Sequence, residues 1–409
     1  MKRYISGKPT FYLRHVLHKA RENISIFPMN QNRCYYYFSS RYALAAGIKA
    51  LGVAPNETIL LPSYNCGSEI DPFLYLKIKP IFYRVNRNLC ADIENIIGKI
   101  NENVKAILVT HFLGFPQPVD QIKMICKEKN LFLIEDCAHA FLSAHGGNFL
   151  GSYGDIAIFS LLKTLPVPNG GVLLINNKNI EYKPNFKKPS RFATYFYAAE
   201  LLKHGTMSDK QSLMERGQRM LYGGSYLSLS LARYFLAAVR KLIDHDGRYL
   251  VRPDSYLFIE SLRDWGISDV SRNILNGEDF EKIKIIRRRN FEYLLNHFLK
   301  NERMILPFRS LPGGICPLFF PIIVESSAIR DNLYRILKSH GVITHPYWNR
   351  FHPAVPWHEF PDAVFLKERV LGLPIHQDLT LSHLDRLIDA LEGVYERGYI
   401  SSSDDFNTN

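Results

Sequence analysis

The 409-residue chain is 46% hydrophobic and 22% charged, enough apolar content to bury a large core shared between one big and one smaller domain. No stretch offers about 18 uninterrupted apolar residues, which excludes a spanning helix, and the basic start MKRYISGKPTFYLRH lacks the continuous apolar run of a secretory signal. The six cysteines, at 34, 66, 90, 126, 137 and 316, follow neither a CxxC nor a metal-ligand spacing, so reduced thiols, no metal site and a cytoplasmic setting are expected.

Along the chain, FSSRYALAAGIKAL (38–51) reads as a Ser/Arg turn opening an amphipathic helix. Free N–H groups and the positive dipole end make such a terminus a natural phosphate site, with Ser39, Ser40, Arg41 and Tyr42 as the contacts to test. The plain alternative is an ordinary serine N-cap. ETILLPS, KPIFYRV, KAILVTHF, LFLIED, DIAIFS and GGVLLIN then read as short strands buried on both faces, with helical patterns such as PVDQIKMICKEKN between several of them. That alternation implies an α/β fold with a mainly parallel sheet and right-handed crossovers, whose loops at the strand C-terminal ends build the active site. Asp136 and His111 fall at such ends.

The run LIEDCAHA (133–140) is followed 27 positions after its aspartate by Lys163, in AIFSLLKTLPVPNGG. A buried strand ending in an acid, with a lysine one βα unit later, points to a pyridoxal phosphate (PLP) site. PLP withdraws electrons only while its pyridine nitrogen is protonated, and a carboxylate such as Asp136 in contact with that nitrogen keeps it so. The aldehyde needs an amine that later works as base and acid, which a partly desolvated lysine such as Lys163 provides. His139 is within reach of the phenolic oxygen or the ring, and the small Ala138 leaves room for the ring face. Ser160, three residues before Lys163, offers a hydroxyl to the phosphate. Taken singly, an aspartate at a strand end is also a common cap and a loop lysine a common solvated charge.

Residues 181–252 hold 13 Lys and Arg against 6 Asp and Glu, a net of +7 of the chain's +12. Within them Leu227, Leu231, Tyr234, Phe235, Ala238 and Leu242 share one helical face, with Arg233, Arg240 and Lys241 toward its edges. Such a helix either lies on an anionic membrane surface or packs on the body or at a dimer interface. No nucleic-acid module accompanies the charge, so no nucleic-acid partner is expected. From about 282, EKIKIIRRRNFEYLLNHFLK is a periodic helix leading into an α+β part. The expected division is a large domain over 1–280 carrying the basic insert, a small domain over 281–400, and a polar, disordered tail over 401–409. His345, Tyr347, Trp348, His352 and Trp357 form an aromatic, His-rich loop that suits either a sugar or lipid head or packing at a domain junction.

The ordered set SSRYAL, ILLPSYNCGSE, PIFYRVN, AILVTHFLGFPQPVDQI, LFLIEDCAHA, GDIAIFSLLKT and NGGVLLI resembles the DegT/StrS family of PLP-dependent aminotransferases. The resemblance resumes in RDNLYRILKSHGVIT, HPYWNRFHP and FPDAVFLKERVLGLPIHQDLTLSHLDRLIDAL, and covers roughly 38–178 and 255–395. It implies a fold-type I transferase, usually a homodimer, that moves an amino group from an amino acid, often glutamate, to a keto acceptor. In most of the family that acceptor is a nucleotide-linked keto-sugar, here for envelope polysaccharide or glycoside synthesis. It also implies Lys163 as the Schiff-base lysine, Asp136 as the pyridinium partner, His139 near the phenolic oxygen, and Ser160, Ser40 and Arg41 at the phosphate. Three departures stand out. The stretch from Ser160 to Lys163 is shorter than usual. Cys66 replaces the family's ring-stacking aromatic, so either Tyr64, two residues earlier, shifts in to the ring or stacking is weak. WGISDVS (265–271) takes the place of a loop that often reaches a neighbouring subunit. A non-catalytic descendant that kept the fold for binding or regulation is the other class of function, with the changed stacking position at Cys66 and the basic insert as its footing.

Overall fold

The computed structural model describes residues 4–11, 26–189, 258–301 and 303–396, with Thr194, Ala198 and Leu201. The helix face between Leu227 and Leu242, most of the basic insert and the tail lie outside the described residues.

The strands of the main sheet are β1 (Cys34–Tyr37), β2 (Thr58–Pro62), β3 (Lys79–Tyr83), β4 (Val104–Thr110), β5 (Phe132–Asp136), β8 (Ile156–Ser160) and β9 (Gly171–Ile175), with a small β6–β7 hairpin (Ala144–His145, Asn148–Phe149) beside them. Their order is β1-β9-β8-β5-β4-β2-β3. Only β9 runs against the rest, so the sheet is mainly parallel, as the alternation of apolar runs implied. Every residue of β2, β8 and β9 is buried, because helices cover both faces and leave no solvated side. β1 has no counterpart among the expected strands. Its sequence, CYYY, is short, half-buried and without alternation, and its pairing with β9 rather than its own pattern makes it a strand.

The helix Ser40–Ala50 lies on β8 and β9, burying Tyr42, Ala43, Leu44, Ala45, Gly47 and Ile48. It stops where Gly52 takes a left-handed φ of +73° and donates to the Lys49 carbonyl, a C-terminal arrangement open to glycine at little cost. Its N-terminus sits over the turn into β9. A β-carbon on Gly171 would overlap the Ser39 carbonyl and the Ser40 amide, so glycine there is what lets the helix start approach the sheet.

The C-terminal part has its own antiparallel sheet in the order β10-β12-β11 (Phe319–Ile323, Val370–Pro374, His345–Pro346). The 19-residue helix Phe280–Phe298 opens at Asp279, whose carboxylate accepts from the Lys282 amide at 3.0 Å. Helices Ser327–Ser339, Pro361–Arg369 and Leu381–Glu396 complete the layer. The N-terminal segment packs here too: Ile5 is buried in this second core and pairs with Val342, although the division at 280 assigns it to the large domain.

Replacing Gly171 with Ala should destabilise the protein by about 1–3 kcal/mol, the usual cost of forcing atoms into a packed contact. Urea unfolding checks this, and a midpoint equal to that of the wild type would contradict the close approach of Ser39 and Ser40.

Candidate active site

Period-two alternation sends the two acids that end β5 to opposite faces, and the fold treats them differently. Glu135 is saturated: it accepts from the amides of Gly151 (2.8 Å), Tyr153 (2.7 Å) and Gly154 (2.6 Å), and meets His111 Nε2 at 3.0 Å. His111 Nδ1 accepts from the Gln117 amide at 3.1 Å, so its Nε2 carries the proton and donates to Glu135. His111, Glu135 and Cys137 bring ligand atoms within 4.8 Å of one another, yet hydrogen bonds already occupy the histidine and the carboxylate. The cluster is a staple holding loop 151–154 to the strand.

Asp136 faces a cleft lined by Ser40, Arg41, Leu44, Cys66, Ser68, Glu69, Thr110, Asp136, Ala138, His139, Ile158, Lys163 and Trp348, with about 420 Å³ of atom-free space partly open to solvent. Of the residues singled out in the sequence, Ser40, Arg41, Cys66, Asp136, Ala138, His139 and Lys163 meet there. Ser160 and Tyr64 do not line it. Ser160 is buried at the end of β8, and the Tyr64 hydroxyl donates to the Tyr347 carbonyl at 3.2 Å behind the cleft wall. Thr110, Ser68, Glu69 and Trp348 join the lining without having been assigned to it. Thr110 could have been found from its place beside Asp136 at the end of KAILVT. Glu69 had only its spacing of three from Cys66. A wider groove at the other ends of the strands, lined by Asn101, Lys105, Lys129 and Asn177, carries none of the motif residues.

Lys163 lies in a four-residue helix, Leu161–Thr164, whose Thr164 carbonyl accepts from buried Arg287 (3.2 Å) and from Gln377 (3.0 Å). Its Nζ lies 2.6 Å from His139 Nε2. On the far side of that ring the Leu113 amide donates to Nδ1 at 3.3 Å, from a left-handed backbone (φ +55°) that a leucine rarely adopts. The Leu113 amide takes up Nδ1, which leaves Nε2 as the ring atom that meets the amine. Burial first, and the Lys163 charge second, hold His139 well below its usual range, keeping the ring neutral.

Cys66 donates to Glu69 through its amide (3.0 Å) and its thiol (2.7 Å). Burial and then the Glu69 carboxylate push that thiol up to about 12, so it is a hydrogen-bond donor and not a nucleophile. Burial and then Glu69 also push the Asp136 carboxyl up to about 6, against the lowering pull of the Ala138 amide, Lys163 and His111. The Ala138 amide donates to Asp136 at 2.9 Å, and among the described residues no cationic side chain pairs with it.

These features suit PLP. The cleft offers a buried carboxylate without an ion-pair partner, a helix start without an acidic residue in its first turn, and a buried hydroxyl, Thr110 Oγ1, without a hydrogen-bond partner among the described residues; Ser39 Oγ, next to the lining at the helix start, is likewise buried and without one.

Without a ligand, the buried Asp136 charge is a liability whose sign can be worked out. In the unfolded chain the carboxyl loses its proton near pH 4, whereas in the folded protein it keeps it to about 6. Stability should therefore fall as pH rises through that window, by on the order of 3 kcal/mol once both states are ionised. Cofactor-free Asp136→Asn should melt above the wild type at pH 8, and the gap should close toward pH 4; a gap that does not change with pH would refute the assignment.

Residues 33–212 match the model of the DegT/DnrJ/EryC1/StrS aminotransferase family. GDP-perosamine synthase of Escherichia coli O157:H7 is 33% identical over 141 residues, 34% of this chain and 39% of that protein, so the match spans under half of that relative. The dTDP-4-dehydro-2,3,6-trideoxy-D-glucose 4-aminotransferase of Saccharopolyspora spinosa is 29% identical over 367 residues, 88% of this chain and 83% of that one. In fold, the chain is similar to Helicobacter pylori PseC, an aminotransferase of pseudoaminic acid biosynthesis, with a TM-score of 0.65 over 97% of this chain and 100% of that one at 14% identity. The part of the chain similar to the DegT/DnrJ/EryC1/StrS aminotransferase family, residues 33–212, holds Asp136, His139 and Lys163.

Proposed function

We propose that this protein is a PLP-dependent aminotransferase that moves an amino group from an amino-acid donor, glutamate first among candidates, to a nucleotide-linked keto-sugar. The observation that carries the reading is Lys163 Nζ set against neutral His139 at the mouth of a cleft whose floor is Asp136. Relatives named as a GDP-perosamine synthase and as an aminotransferase of a dTDP-linked dehydro-sugar support the acceptor class. When bound, PLP supplies an aldehyde and a protonated pyridine ring that draws electrons from the carbon bearing the nitrogen. Asp136 would hold the ring-nitrogen proton, and Ser39, Ser40 and Arg41, at the helix start, would hold the phosphate. His139 would face the phenolic oxygen, and Lys163 would hold the aldehyde carbon. Released from it, Lys163 Nζ is the base placed to take a proton from the substrate carbon and return it. Cys66 at the stacking position and the basic insert favour a non-catalytic reading, and the Lys163–His139 contact, of no use to a mere binding protein, weighs against it.

The wider reading includes a cytoplasmic homodimer serving envelope polysaccharide synthesis, with peripheral membrane contact through 181–252. No helix among the described residues is long and apolar enough to cross a membrane. The net charge of +7 in 181–252 supports attachment to anionic lipid at about 1 kcal/mol for each basic residue near the surface. Protein should cosediment with anionic liposomes at low salt and be released at high salt or by replacing Arg233, Arg240 and Lys241; absence from the pellet at every salt concentration would favour a packed interface.

Lys163→Ala should abolish transfer to a panel of keto-sugar nucleotides, and with it the borohydride-fixed PLP adduct that mass spectrometry maps to this peptide, while far-ultraviolet circular dichroism stays unchanged. A variant that still turns over, with the adduct on another lysine, would overturn the assignment.

A further inference from the structure

Among the described residues, Trp348 is the one Phe, Tyr or Trp side chain lining the cleft. It follows β11 in the C-terminal part, yet its indole centroid lies 5.8 Å from Lys163 Nζ and 5.1 Å from the His139 ring, tilted 37° to it. Tyr64 (4.9 Å), Phe112 (6.0 Å) and Tyr347 (5.8 Å) buttress the indole from behind. Two hydrogen bonds clasp the neighbouring loop to the same part: the Tyr64 hydroxyl to the Tyr347 carbonyl at 3.2 Å, and Lys367 Nζ to the Asn65 carbonyl at 2.7 Å. The first bond keeps the Tyr64 ring behind the wall. The Cys66 thiol, turned toward Glu69 at 2.7 Å, offers no flat surface.

A planar heteroaromatic ring seated between Asp136 and Lys163 gains most from a flat, polarisable face, and an indole provides the largest of any side chain. Resting on the function proposed above, we infer that Trp348 is the aromatic wall against which the cofactor ring packs, so that the C-terminal part completes a cofactor site built by the main sheet. An empty-handed main sheet would bind the phosphate and ring nitrogen but leave one ring face wet.

The test titrates PLP itself into cofactor-free wild type, Trp348→Ala and Trp348→Phe, following tryptophan fluorescence and equilibrium dialysis. Trp348→Ala should bind roughly ten-fold or more weakly, the size of one lost stacking contact plus its buried area, and Trp348→Phe should recover most of the affinity. The PLP-induced quench should shrink sharply in Trp348→Phe, because the remaining tryptophans, Trp265 and Trp357, lie outside the cleft lining. Wild-type affinity in Trp348→Ala overturns the inference, even if that variant slows transfer to a sugar acceptor, since the indole would then serve the acceptor alone. If Trp348→Ala does not fold, an undiminished quench in Trp348→Phe overturns it equally. A wild type that binds no PLP overturns the proposed function itself along with this inference.

Discussion

The end of β5 sets the constraint on which the site depends: two consecutive carboxylates that the pleat sends to opposite faces of one buried strand. Burying an ionised acid is costly unless hydrogen bonds or an opposite charge replace the lost water. Glu135 receives three backbone amides and a histidine, and in return fixes the loop at 151–154. Asp136 receives one amide, and Glu69 stands close enough to raise its proton affinity further. A strand that satisfies one acid fully and leaves the next short by a cation has the electrostatics of a binding site, because a cationic ring nitrogen removes a cost the fold has not otherwise met.

The same logic runs through the side chains around the cleft. His139 is held neutral by burial and oriented by the Leu113 amide, so it meets Lys163 as a neutral ring and not as a competing charge. Arg287 is almost wholly buried with carbonyl and amide acceptors, from Pro317, Leu318, Thr164 and Gln377, and so ties the lysine-bearing turn to the C-terminal part. Lys367, also buried and lowered to about 8 by desolvation, ties loop 64–69 to that part from the other side. The two halves of the molecule therefore meet around Lys163 through specific polar contacts as well as apolar packing, and this is what gives Trp348 a defined place beside the amine.

Much of this was legible in the chain. Six of the seven strands of the main sheet follow from apolar runs bounded by turns, because a strand buried on both faces must be apolar throughout. The acid that ends LFLIED and the lysine one unit later could be paired from spacing alone, since parallel strands deliver their C-terminal ends to one edge. The helix start at Ser40 was likewise readable, as its serines and the following apolar spacing are local signals.

Other features depend on contacts between distant residues, which no local pattern encodes. β1 is a strand because β9 offers it partners. Ser160 was expected at the cleft from its place three residues before Lys163, but the turn after β8 leaves it buried outside the lining. Tyr64 was a candidate for the ring, and a hydrogen bond to a residue 283 positions away keeps it behind the wall. Trp348 could be read only as part of an aromatic loop, for its role rests on how the C-terminal sheet docks on the main one. The sequence by itself determined most strands of the sheet and the spacing that brings Asp136, His139 and Lys163 to one edge of it. Tertiary structure decided which aromatic faces the amine and which acid is left needing a cation, because both depend on burial and on partners that only the assembled core brings together.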